Sequence, residues 1–168
     1  MSHEYLPVAG NRGRTESPTP RLPMIEFGKS IPKLIHQTFP CKTLPVTLQK
    51  NVENLISLNP GWQHQIYDDH DIKNFVMNAY GAEIYKYFDK INPRYGAAKA
   101  DLFRYLLLYK YGGVYLDIKS TCLCPFEEFI FPDDRLLLSH WDNESEGPHF
   151  GWGKVKELEN IKRGEYQQ

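Results

Sequence analysis

The chain has 168 residues, 41% of them hydrophobic and 14% aromatic, enough for one sizeable buried core and too few for two independent domains. A formal net charge of −1 gives no broad basic field for gripping a phosphate backbone, which argues against nucleic acid as a partner. The sequence holds no run of about 18 apolar residues and no basic-then-apolar leader, so it predicts a soluble, cytoplasmic chain without a membrane span.

Residues 1–30 carry Pro7, Pro18, Pro20 and Pro23 among Gly, Arg, Ser and Thr, with no sustained apolar period, and read as a flexible lead-in. The folded domain is expected over 31–168. It opens at IPKLIHQTF, Ile31 to Phe39, where Leu34 and Ile35 precede polar His36, Gln37 and Thr38, the pattern of a buried strand whose carboxyl end meets a surface. Open α/β sheets place ligands at that end.

Leu48, Val52, Leu55 and Ile56 then fall on one helical face, and Asn59-Pro60-Gly61 stops that helix. WQHQIYDD, Trp62 to Asp69, predicts a second strand. Asp69 or Asp71 is expected to cap a short helix over Ile72 to Ala79, with Gly81 separating it from another over Glu83 to Ile91. GAAKADLFRYLLLYKYGG, from Gly96, predicts a largely buried helix closed by Gly112 in a left-handed conformation. VYLDI, Val114 to Ile118, follows as a strand, and LLLSHW, Leu136 to Trp141, reads as one more. Alternating strands and helices predict an α/β fold with a mostly parallel sheet.

The three cysteines, Cys41, Cys122 and Cys124, cannot all pair, and C-x-C without a further ligand cluster is a poor zinc signature, so they read as reduced structural thiols. The histidines are scattered. Asp101 and Arg104 are more informative: three apart on the helix, they share a face. An exposed pair of this kind contributes only about 0.2–0.5 kcal/mol, and the apolar run around it asks for another reason. Asp117, delivered by a strand to the same end, either caps the next turn or joins Asp101 and Arg104 at a site.

The stretch AAKADLFRYLLLYKYGGVYLDIK, together with IPKLIHQTF, resembles the glycosyltransferases with a sugar-binding region containing a DXD motif. That group, of family 32 type, includes initiating α-1,6-mannosyltransferases and bacterial capsular polysaccharide enzymes, and is similar at greater distance to the large glucosylating toxins. The resemblance runs from Ile31 to Lys119. It implies a GT-A-type, Rossmann-like fold with a mostly parallel sheet flanked by helices, a nucleotide-sugar donor (UDP- or GDP-linked), a saccharide acceptor and a retaining transfer.

By that resemblance, Phe39 falls where the family stacks an aromatic on the donor base, with Gln37 and Thr38 beside it. Asp101 and Arg104 fall where it holds the donor sugar and its neighbouring phosphate. Tyr115 matches the motif tyrosine, and Asp117 matches the first acid of DXD, a metal ligand in the family. Lys119 stands where the second acid binds Mn²⁺ or Mg²⁺. A lysine cannot ligate that ion, but it can offset phosphate charge itself, so the substitution counts against the divalent metal more than against the donor. Members of the family carry a further segment after this region, so 31–168 is expected to be a partial catalytic domain, incomplete at its C-terminus. Two readings stand: an active hexosyltransferase, and a nucleotide-sugar-binding module without turnover. A strand ending in D-x-D-x-T also marks phosphatases that form an aspartyl-phosphate, but Lys119 cannot take the second aspartate's role there, and that motif normally lies near the start of its domain. His140, Trp141, His149 and Trp152 read mainly as loop anchors.

Overall fold

The computed structural model describes residues 21–26 and 28–137. Its centre is a three-stranded parallel sheet: β1 (Leu34–Thr38), β2 (Gln63–Tyr67) and β3 (Val114–Tyr115), in the order β2-β1-β3. The helices are α1 (Val46–Leu58), α2 (Asp69–Asp89) and α3 (Gly96–Tyr111), with short 3-10 turns at Pro93–Tyr95 and Phe126–Glu128. This is the expected α/β, Rossmann-like arrangement of a GT-A-type sheet flanked by helices. No helix among the described residues is long and apolar enough to cross a membrane.

Alternation along β1 sends its side chains to two different cores. Ile35 packs with Leu55 of α1, Trp62 and Phe126 on one face, with Val114 and Leu116 against them. The other core joins Val76, Tyr80, Phe88, Phe103, Leu106 and Leu107 of α2 and α3, with Tyr67 of β2 packed on it. Phe103 is fully buried and meets Tyr67 edge-on at 5.3 Å. Losing such an aromatic from a core costs about 3–5 kcal/mol.

Several boundaries differ from expectation, each for a physical reason. The cap of α2 is Asp68: its side chain accepts from the Asp71 N–H while Asp71 accepts from the Asp68 N–H, a reciprocal capping box. The two predicted helices run as one element from Asp69 to Asp89, broken where Gly81 takes φ 80° and ψ 172°. The strand predicted over Val114 to Ile118 pairs formally only at Val114–Tyr115; the Leu116 N–H still reaches the His36 carbonyl at 3.0 Å, and then the Ser120 N–H turns back to the Asp117 carbonyl at 2.8 Å. Leu136 and Leu137 lie in no strand, and the rest of the LLLSHW segment, with His140, Trp141, His149 and Trp152, lies outside the described residues.

The double glycine sets how closely β3 approaches β1. Gly112 (φ 66°) and Gly113 (φ 88°) adopt conformations that residues with a Cβ rarely take. A Cβ at Gly113 would lie 2.6 Å from the Leu34 carbonyl oxygen, and one at Gly112 would lie 2.8 Å from Pro32 Cδ. The φ at Gly112 is positive as predicted, but its ψ of −152° lies outside the left-handed helical well.

Candidate donor site at the carboxyl end of β1 and β3

Five of the residues singled out in the sequence, Thr38, Asp101, Arg104, Tyr115 and Asp117, converge at the carboxyl end of β1 and β3. The Arg104 guanidinium donates to the Asp101 carboxylate at 2.8 Å. It also lies over the Tyr115 ring, 5.7 Å from its centroid, and over the Tyr105 ring at 5.6 Å. The Tyr115 hydroxyl meets the Thr38 hydroxyl at 2.8 Å, crossing from β3 to β1. Burial pushes the Tyr115 hydroxyl up from its ordinary pKa; the Thr38 bond and Arg104 pull it down, and the carboxylates of Asp117 and Asp101 push it up again. Asp101, Arg104, Tyr115 and Asp117 therefore share one electrostatic neighbourhood.

The Asp101–Arg104 pair is more open than the sequence predicts, its side chains 51% and 33% exposed. Helix α3 buries Phe103, Leu106 and Leu107 and leaves Tyr105, Tyr109 and Tyr111 outward. The pair sits on the rim of this helix, which suits contact with a ligand better than burial would.

Gln37 departs from the expected grouping. It is fully buried, on the α1 side of the sheet, and its amide is spent on protein: the oxygen accepts from His64 Nε2 at 2.8 Å and the nitrogen donates to the Asp117 carbonyl at 3.3 Å. It holds the backbone that carries Asp117 and does not reach the surface that Thr38 and Tyr115 share. His36, on the opposite face, is equally enclosed. Its Nε2 donates to the Gly112 carbonyl at 3.1 Å, which leaves Nδ1 to accept from the Tyr67 hydroxyl at 3.2 Å. Burial holds His36 below its ordinary pKa, in keeping with this neutral ring, and pushes the Tyr67 hydroxyl up to about 12.

Asp117 and Lys119 lie on the tight turn closed by the Asp117–Ser120 bond, both exposed, and not on one face of a strand as alternation predicts. Neither side chain makes a hydrogen bond or ion pair among the described residues. The turn itself is anchored from α1: the Asn51 amide donates to the carbonyls of Ile118 at 3.0 Å and Ser120 at 2.6 Å. Sequence reasoning missed Asn51, because nothing in a helical asparagine announces a carbonyl partner 67 residues on.

A cavity of about 490 Å³ opens beside this cluster, lined among others by Thr38, Phe39, Asp69, Lys73, Tyr85 and Lys99. Thr38 belongs to both, and Ala100, next to Asp101, lies in the cavity wall. Phe39, next to Thr38 in the chain, thus lines a recess that also carries Lys73, Tyr85, Phe88 and Lys99.

A divalent cation needs several oxygen ligands, commonly six. Among the described residues, the end of β3 offers one uncommitted carboxylate, Asp117, two positions from Lys119, while Asp101 is engaged by Arg104. These residues do not make a metal site by themselves. The acid and histidine group of Asp68, His70 and Asp71 lies elsewhere. It is occupied by the capping box and by Lys42, whose ammonium contacts Asp71 and holds that carboxyl below its usual range.

A family model described as glycosyltransferase sugar-binding region containing DXD motif matches residues 45–137, more than half of the chain. The chain belongs to this family. Among relatives of the DXD sugar-binding family, a mimivirus protein described as an uncharacterized glycosyltransferase is 33% identical over 102 residues, 60% of this chain and 40% of its own length. The inositol phosphoceramide mannosyltransferase 3 of Schizosaccharomyces pombe is 32% identical over 93 residues, 55% of this chain and 25% of its own. The initiation-specific alpha-1,6-mannosyltransferase of Candida albicans is 31% identical over 115 residues, 65% of this chain and 29% of its own. The chain therefore spans well under half the length of these relatives. No solved structure matches it significantly.

Proposed function

We propose that this chain carries the donor site of a glycosyltransferase that moves a hexose from a nucleotide-sugar to a saccharide acceptor, with retention, in glycan or polysaccharide synthesis. The observation that supports it most is the meeting of Asp101, Arg104, Tyr115 and Asp117 at the carboxyl end of a parallel sheet, the position where α/β sheets take ligands. The names of the relatives make mannose the first hexose to test.

Each residue has a task in this reading. Phe39 stacks on the donor base, with Thr38 at the junction between base and sugar. The Asp101 carboxylate accepts from hydroxyls of the sugar, fixed in place by its own bond to Arg104. Arg104, steadied by the Tyr115 ring, donates to the adjacent phosphate. Asp117 accepts from ribose or sugar hydroxyls at the turn. As the bond from the sugar's anomeric carbon to the phosphate breaks, negative charge grows on the departing diphosphate, and Lys119 with Arg104 offsets it. No step is assigned to a divalent ion.

Lys119 also motivates a second reading, in which the chain binds a nucleotide-sugar without turning it over. Calorimetry with UDP- and GDP-sugars, followed by assay of released nucleoside diphosphate with and without Mn²⁺, separates the two. Folded protein that binds no donor overturns both. NMR of the anomeric proton in the product reads retention directly.

A further inference from the structure

We propose that Asp69 and Lys73 read the base of the donor and select guanine over uracil; this rests on the donor-site reading above. Asp69 is the first residue of α2, Lys73 follows one turn later, and both line the cavity that Phe39 also lines. Side chains at this spacing start about 6 Å apart and face the same way, so a carboxylate and an ammonium address one ligand together.

The local chemistry leaves Asp69 available for that task. Asp68 and Asp71 flank it and are spent on the capping box and on Lys42. The Asp69 carboxylate makes no hydrogen bond or ion pair among the described residues. Lys73 rests near the Tyr85 ring, 5.9 Å from its centroid, an aromatic support on the same wall. The other lining cation, Lys99, faces Asp89 at 3.5 Å and the Phe88 ring at 5.2 Å, so its charge is already met.

An ionised carboxylate only accepts hydrogen bonds. Guanine offers it two adjacent donors, N1–H and the N2 amino group, with the O6 acceptor next to them for an ammonium. Uracil offers a single donor, N3–H, between two carbonyl oxygens that a carboxylate repels. Adenine and cytosine turn a ring-nitrogen lone pair toward it. Two charge-assisted bonds from Asp69 and one from Lys73 therefore match guanine alone among the common bases, and a site whose polar groups are left unpaired by the wrong base rejects that base.

The test is calorimetric titration of the full chain and of Asp69→Asn with GDP, UDP and xanthosine diphosphate. Wild type is expected to bind GDP at least tenfold more tightly than UDP. In Asp69→Asn, shown folded by circular dichroism, GDP weakens at least tenfold and xanthosine diphosphate strengthens, because xanthine carries an acceptor at position 2 that the new amide can satisfy. Lys73→Met is expected to weaken GDP without affecting the fold. Equal binding of GDP and UDP by wild type, or an unchanged preference in Asp69→Asn, overturns the base assignment and leaves the donor site standing. Wild type that binds no nucleoside diphosphate overturns both.

Discussion

The hydroxyls of Tyr115 and Thr38 lie 2.8 Å apart, joining the third strand to the first at the end where the candidate donor site lies. Tyr115 is thus both a support for Arg104 and a cross-strand tie. Tyr115→Phe keeps the ring and loses the bond. It is expected to lower stability by about 0.5–1.5 kcal/mol in urea unfolding, with donor affinity reduced less than in Tyr115→Ala, which also removes the surface under the guanidinium.

Asp101→Ala separates a ligand contact from a surface ion pair. The pair is exposed enough that its loss should change stability by less than about 1 kcal/mol. Donor turnover, followed as released nucleoside diphosphate, is expected to fall by about 100-fold or more if Asp101 positions the reacting sugar as proposed. Unchanged turnover would return Asp101 to the role of an ordinary helical ion-pair partner.

Lys119 gives a test of how the diphosphate is held. Lys119→Met is expected to reduce metal-free turnover by about 10-fold or more, as the departing phosphate loses a cation. Lys119→Asp, placing a second acid two residues after Asp117, is expected to be slower still without metal and to recover in part with Mn²⁺. A turnover rate indifferent to both substitutions would remove Lys119 from the site.

His36 and His64 predict an acid limit to stability. Burial holds both below their ordinary pKa of 6.5 in the fold, so the unfolded chain takes up protons first. Their contribution is complete above that pKa and is lost as pH falls below it. Unfolding midpoints in urea are expected to drop between pH 7.5 and 5.5, and the drop should shrink in His36→Gln.

Glycine substitutions distinguish space from backbone strain. Gly113→Ala must clear a carbonyl oxygen 2.6 Å away and is expected to prevent close pairing of β3, seen as loss of cooperative unfolding. Gly81→Ala meets no atom within 4 Å, so only its backbone conformation, φ 80° with ψ 172°, is penalised, by about 1–3 kcal/mol.

The sequence made the skeleton legible where local chemistry and tertiary packing agree. Val52 and Leu55 carry the buried face of α1, and Asn59 with Pro60 and Gly61 marks its end. The resemblance singled out Arg104 and Tyr115 together, and they meet in space. The apolar-to-polar pattern of the first strand misleads where polarity suggests exposure: His36 and Gln37 look like the surface end of a strand, yet both are buried because the Gly112 carbonyl, Tyr67 and His64 satisfy them. VYLDI has the composition of a strand, but its last residues obey a turn bond that apolar patterning does not encode. Phe126 was equally hidden. Its place in the core depends on Trp62, 4.9 Å away edge-on, and on the Asn59 side chain that accepts its N–H at 2.8 Å, both distant in sequence.

The amide of Asn51 bears on recognition although it touches no proposed ligand contact. By gripping the carbonyls of Ile118 and Ser120, it makes the span between Asp117 and Lys119 a property of α1. In the proposed reading, a donor arriving at that turn meets an acid and a cation on a backbone fixed beforehand, and less entropy is lost in ordering them. Replacing Asn51 would leave every proposed contact residue in place and still spoil the fit, by letting the ruler slacken.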